Sequence, residues 1–276
     1  MIEVGKYNKL KAARREDHGW YLVDEAADSV LLPMKWVPLE LEEDSEIEVF
    51  VYRDSEDRII ATTMKPIIVA DQFANLLVKD VTKIGAFVDV GLEKDLLIPF
   101  GEQHYDVEVG KRYVTHMYVD CVTDRLTGST KLQKFFTKTG DDFEVDQKVK
   151  GLVYKETDIG YKVIVDNSAG GLVYKNQIFS KVNIGDELDL YVKNIREDGK
   201  MDLMINKGGY ETVEPVTQQI IDYLNRVGGF SPLNDKTDPK VIYDVFGISK
   251  KQFKKALGAL YKDKKILLEK DGITLL

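Results

Sequence analysis

Cysteine is almost missing from this chain: Cys121 is the only one, so no internal disulfide can form, which fits a reducing cytoplasm. Histidine is scarce too, and His18, His104 and His116 are scattered without metal-ligand spacing. No phosphate-binding P-loop, Cys-x-x-Cys pair or serine nucleophile elbow occurs, so neither an enzyme nor a cofactor or metal is expected and no catalytic residue is assigned. No apolar run approaches the roughly 18 to 20 residues of a membrane helix. The start "MIEVGKYNKL" lacks the layout of a secretory signal, so a cytoplasmic protein with no membrane partner is expected. Cys121, within "YVDCVTD", reads as a half-buried strand thiol.

What is present is an ordinary globular composition, 43% apolar and 31% charged in 276 residues. The net charge of −8 is unevenly spread: −6 over residues 1–66, −3 over 67–142, −2 over 143–213 and +3 over 214–276. An anionic ligand is drawn toward the later segments.

Spacing reveals a threefold repeat. "GWYL", "GAFV" and "GYKV" begin at Gly19, Gly85 and Gly160. Fourteen residues after each glycine an apolar run ends at Pro33, Pro99 and Tyr174, and 25 after it a turn residue, Asp44, Gly110 or Gly185, opens an alternating strand. A cation follows at offset 39 or 40, Arg58, Arg125 and Lys200, and then a last short strand. About five strands in some 65 to 70 residues, separated by Gly, Asp and Asn turns, suit a small closed Greek-key barrel of the oligonucleotide-binding type. The glycine at offset zero is expected at a bulge or tight bend that has no room for a Cβ.

Strand alternation puts Ile84, Ala86, Val88 and Val90 on one face and Gly85, Phe87, Asp89 and Gly91 on the other, which leaves a large aromatic on the wet side. The equivalent offset-two residues are Tyr21 and Lys162. An outward ring offers a stacking surface to an unpaired base, and Lys162 with Tyr174 and Lys175 combines a ring with two cations. The alternative is that Phe87 covers a barrel edge or an interface between repeats.

Beyond residue 213 the period becomes helical. "VTQQIIDYLNRV" lines up Val216, Ile220, Ile221 and Leu224, and Asp238-Pro239 and Ser249 are good helix starts. In the last helix Phe253, Ala256, Leu257 and Leu260 face the core, while Lys251, Lys254, Lys255 and Lys262 take the other side. Two short strands around Asp271-Gly272 complete a winged helix. The lysines suit a nucleic-acid contact, or a merely solvated helix face.

The order "GAFVDVG", "LLIP", "VGK", "DRLTGS" resembles the RNA-binding domain named after ribosomal protein S-one. Three copies followed by a winged helix resemble the conserved virulence factor B family of bacterial RNA-binding regulators, over nearly the whole chain. The expected fold is therefore mainly β: three tandem five-stranded barrels at 1–66, 67–142 and 143–213, then a small α+β winged helix at 214–276. The resemblance implies RNA contacts at the offset-two and offset-fourteen positions and at the basic position near the last strand, here Arg58, Arg125 and Lys200. Proline replaces the family's usual histidine at Pro33 and Pro99, and its second aromatic, just before the glycine, is His18, Ile84 or Ile159 here. The expected function is non-catalytic binding of single-stranded RNA, mainly by the third barrel and winged helix. A DNA-binding regulator led by the winged helix, and an adaptor whose acidic first barrel docks a protein, are the alternatives.

Overall fold

Alternating burial along short strands is what a small barrel needs, because each strand then sends every second side chain inward. The computed structural model describes residues 1–175, 178, 181–205, 213–269 and 271–276, with residues 213–215 by backbone alone. Contacts divide the chain into two units, Met1–Thr137 with Asn167–Ala169, and Lys138–Asp166 with Gly170–Leu276.

The first unit holds two closed barrels. Strands β1 (Tyr7–Glu16), β2 (Gly19–Val23), β3 (Ser29–Pro33), β4 (Glu46–Arg53) and β5 (Ile59–Thr62) close in the order β1-β2-β3-β5-β4. β6 (Gln72–Thr82), β7 (Gly85–Val88), β8 (Leu96–Pro99), β9 (Arg112–Val119) and β10 (Leu126–Ser129) repeat that order, with β8 and β10 parallel as β3 and β5 are. The two barrels share apolar packing: Phe50, Tyr52 and Ile60 of the first join Leu76, Ile98 and Met117 of the second in one buried cluster.

In the second unit β11 (Lys148–Glu156), β12 (Gly160–Val165), β13 (Ala169–Tyr174), β14 (Glu187–Ile195) and β15 (Met201–Met204) form the third barrel with the same strand order. The mainly β architecture, three five-stranded barrels followed by a winged helix, is the expected one. In that last region come α1 (Val213–Arg226), β16 (Phe230–Ser231), α2 (Pro239–Phe246), α3 (Lys250–Lys262), β17 (Ile266–Glu269) and β18 (Gly272–Leu275). The connection 206–212 lies outside the described residues.

The helix signals act as expected. The Asp238 carboxylate accepts from the Lys240 amide, Ser249 and Gln252 form a reciprocal capping box, and Gly247 ends α2 at φ 67°. Phe253, Ala256, Leu257 and Leu260 are buried together with Val216, Ile220 and Leu224. Truncating a fully buried phenylalanine such as Phe253 to alanine costs about 3 to 5 kcal/mol. The short β16, read from the sequence only as an interruption, pairs with β18 and makes the wing three-stranded. Among the described residues no helix is long and apolar enough to cross a membrane.

The repeat glycines have a steric cause. A Cβ on Gly19, Gly85 or Gly160 would stand 2.2 Å from the carbonyl oxygen of Leu32, Ile98 or Val173 on the next strand. Gly19 and Gly85 also sit at φ 156° and 149°. The bulge itself falls elsewhere: the register shifts on the first strand of each barrel, between Ala12 and Arg14, Val78 and Asp80, and Val153 and Lys155.

Two further expectations are corrected. Cys121 is exposed, because β9 ends at Val119 and the Asp120 carboxylate, accepting from the Val122 and Thr123 amides, turns the chain there. Ile84 precedes β7 and is 61% exposed, so it does not share the inner face of Ala86 and Val88.

Candidate nucleic-acid interface

The bulge on each first strand places a fixed partner across from the offset-two residue: Arg14 opposite Tyr21, Asp80 opposite Phe87, Lys155 opposite Lys162. All three offset-two side chains, and Pro33, Pro99 and Tyr174 at offset fourteen, are half-buried on the outside of their barrels. The three faces share one backbone and differ in chemistry.

On the first barrel the ring of Tyr21 is already covered. The Arg14 guanidinium lies 4.8 Å from its centroid, and its hydroxyl is 3.3 Å from His18 Nε2. Glu16 pairs with Arg14 at 2.8 Å. The expected phosphate contact Arg58 is held by two bonds to the Asp54 carboxylate, at 2.9 and 2.7 Å, and by Glu56 at 2.9 Å.

On the second barrel Phe87 lies in a groove of about 670 Å³ lined also by Ile84, Leu97, Pro99 and Tyr118. Residues Tyr52, Arg53, Ser55 and Asp57 of the first barrel form part of its wall. Arg125, expected to meet phosphate, instead makes a two-pronged bond to Asp57 at 2.9 and 2.6 Å. The guanidinium beside it holds the Asp57 carboxyl below the usual carboxylate range.

The third barrel is different. Tyr174, Lys162 and Lys175 lie on neighbouring strands or just beyond them, and an unforeseen residue, Arg196, joins Tyr174. Arg196 Nη2 donates to the Tyr174 hydroxyl at 2.8 Å while its Nε donates to Asp202 at 3.1 Å. The carboxylate raises the arginine's already high pKa, and the arginine in turn lowers that of Asp202. A guanidinium fixed on two sides loses little further freedom when it binds an anion or a ring. Lys175 pairs with Glu156 at 2.7 Å and Lys200 with Asp198 at 2.6 Å, so these two expected contacts are partly neutralised. Among the described residues Lys155 and Lys162 have no ion-pair partner.

Arg196 follows from the hairpins. Asp54, Asp120 and Arg196 occupy one backbone position, each amide donating to the carbonyl of the cation that ends its hairpin: Arg58, Arg125 or Lys200. The first two copies carry a carboxylate there and the third a guanidinium. Comparing the hairpins "DSEDR", "DCVTDR" and "REDGK" by their first residues would have found it.

In the winged helix Lys251, Lys254, Lys255 and Lys262 are exposed on α3, on the side away from its buried Phe253 and Leu257. Lys254 lies 3.5 Å from Asp235, and among the described residues Lys251 and Lys262 have no ion-pair partner.

Residues 4–64, the first barrel, match the family description S1 domain, and residues 218–275 match the CvfB-like winged helix domain. Conserved virulence factor B of Staphylococcus haemolyticus is 28% identical over 86% of this chain and 81% of its own length. This chain is similar to the conserved virulence factor B proteins. YitL of Bacillus subtilis is 29% identical over 97% of this chain and 92% of its own length. A solved Streptococcus pneumoniae structure, described as a multidomain protein with nucleic acid binding domains, is 26% identical, covers 99% of this chain and 98% of its own, and superposes with a TM-score of 0.44. S1 and winged-helix domains are nucleic-acid-binding types, so a nucleic acid is the partner class to which the fold points.

Proposed function

We propose that this chain is a non-catalytic RNA-binding protein, a post-transcriptional regulator of bacterial gene expression, that holds single-stranded RNA on its third barrel and winged helix. The virulence-related role is carried over from the name of its staphylococcal relatives. Its four domains would divide after residues 66, 142 and 213.

The observation that carries this reading is the Tyr174 ring with the fixed Arg196 guanidinium on its hydroxyl, on the same barrel as Lys162 and Lys155, which have no ion-pair partner among the described residues. Stacking of a base on an aromatic ring is worth about 1 to 3 kcal/mol, and each phosphate neutralised adds a salt-dependent term. The basic winged helix, +3 over residues 214–276, extends the favourable potential along the same unit. RNA is favoured over duplex DNA because rings on a barrel face serve unstacked bases, which a duplex does not offer.

The test is binding of labelled single-stranded RNA, single-stranded DNA and duplex DNA over a salt series. RNA should bind most tightly, with a slope of log affinity on log salt of about −0.7 per phosphate neutralised. Tyr174→Ala combined with Lys162→Ala should weaken RNA binding by roughly 10- to 100-fold, and Tyr21→Ala by less than about twofold, consistent with one stacked base and one phosphate. The reverse order would refute the assignment to the third barrel, and preference for a duplex would move the function to α3 as a DNA reader.

A further inference from the structure

The hairpins of the first unit exchange arginines. Arg53, at the end of β4, binds the Asp124 carboxylate and donates from Nε to the Asp124 carbonyl at 2.9 Å; Arg125, at the start of β10, binds Asp57 in return. Asp57 and Asp124 are equivalent: each precedes the hairpin's cation and has positive φ, 69° and 55°. In the third barrel that place is Gly199, at φ 72°, which has no carboxylate to offer. The exchange is therefore a property of the first two barrels. It brings Ser55 and Asp57 over the second barrel's outer face and turns an open platform into a groove.

The groove's chemistry does not suit a polyanion. Each cation along it has an acceptor within the protein: Arg53 on Asp124, Arg125 on Asp57, and Lys94 Nζ on the carbonyl of Asp54 at 2.8 Å. Asp57, Asp95, Glu102 and Asp120 also line it; the first three are paired with Arg125, Lys79 and Lys134, but residues 1–142 as a whole carry a net charge of −9. A phosphate would have to displace carboxylates from their arginines against that field. An apolar floor in so acidic a stretch of the chain has the opposite preference. A volume near 670 Å³ accepts one or two bulky side chains.

We infer that this two-barrel groove is a docking site for an extended protein segment that places an aromatic or large aliphatic side chain against Phe87 and Ile84 and flanks it with lysine or arginine facing the carboxylates. This goes beyond RNA binding and uses a different unit of the chain. The barrels are closed and offer no free strand edge there, so the contact is made by side chains and its specificity by their apolar-basic pattern.

The test uses the whole 276-residue chain. Phage-displayed random 12-residue peptides are selected on it, the enriched peptides are synthesised, and their affinities are measured against the native chain, Ile84→Ser/Phe87→Ser and Asp95→Lys, beside a 12-nucleotide oligouridylate. The expected result is enrichment of apolar residues flanked by Lys or Arg. Peptide affinity should fall at least tenfold in the double variant and at least threefold in Asp95→Lys, with RNA affinity changed less than twofold in both. Asp95→Lys alters one half-exposed rim residue, and it keeps the test alive should the double variant fail to fold. Absence of enrichment, enriched peptides that ignore both variants, or an RNA affinity that falls tenfold in the double variant would overturn the inference; the last would make Phe87 a base platform. RNA binding lost only on Tyr174→Ala/Lys162→Ala leaves the inference standing, so the two readings fail separately.

Discussion

The second and third barrels close in the same strand order around the same steric glycine, yet their cations meet different partners. On the second, Arg125 is bound to an aspartate of the neighbouring barrel; on the third, Arg196 pairs with Asp202 of its own barrel and also donates to the Tyr174 hydroxyl, and Lys162 has no ion-pair partner among the described residues. The difference is set by two hairpin positions. Where the second barrel has Asp120 and Asp124, the third has Arg196 and Gly199. A closed barrel tolerates such exchanges because hairpin tips bear little of the core, so one scaffold can serve as a charged platform in one copy and an interdomain joint in another.

The largest contrast to test is in acid. His116 is buried on the second barrel against Phe135 and Phe73, with ring centroids 3.9 and 4.4 Å away, and its Nδ1 has no hydrogen-bond partner among the described residues. Burial pushes its pKa down to about 4, against 6.5 for the free side chain. The unfolded chain then binds the proton more tightly than the folded one. The stability is complete above pH 6.5 and is lost as pH falls toward about 4, by about 3 kcal/mol at roughly 1.4 kcal/mol per unit. His116→Phe, which copies Phe50 at the corresponding place in the first barrel, should flatten this window in denaturant titrations of the full chain followed across pH.

Next comes the third barrel's arginine. Arg196→Ala should weaken single-stranded RNA binding about tenfold, roughly 1.4 kcal/mol, because it removes a fixed charge and frees Tyr174 to rotate. Asp120→Ala at the equivalent place in the second barrel should leave RNA affinity within twofold. Equal effects in both would erase the contrast between the barrels.

Transplanting the second barrel's aspartate sharpens the comparison further. Gly199→Asp is compatible with the positive φ that Asp57 and Asp124 already adopt, and it puts a carboxylate beside the hairpin's cation. RNA affinity should fall about threefold and the salt slope should lose about 0.7, one phosphate's worth. The smallest effect is expected from the reverse change. Asp57→Ala frees Arg125 without supplying a ring or a favourable field, so RNA affinity should rise by less than about twofold, as an exposed single charge does little alone.

Much of the architecture was legible because it is enforced locally. The glycine spacing, the strand alternation, Asp238 and Ser249 as helix starts, and the Phe253-to-Leu260 stripe are each consequences of sterics or period, which neighbouring residues alone express. The site was less so. Offset counting selected Lys200 as the third cation, since it continues the series of Arg58 and Arg125, but the residue touching Tyr174 is Arg196, at the hairpin's other end. The fate of Arg125 was beyond such counting, because its partner Asp57 lies 68 residues away and meets it only when two barrels pack. Cys121 was misplaced for a local reason, the hydrogen bonds by which Asp120 ends its strand.

The sequence by itself determined that three small barrels would form and that a winged helix would follow, since a Cβ at Gly19, Gly85 or Gly160 would strike a carbonyl at 2.2 Å and apolar periods leave little choice of face. Only the tertiary structure decided which cations stay available. A side chain's charge is written in its residue type, but whether that charge is already answered depends on which carboxylates the packed barrels bring within a few ångströms of it.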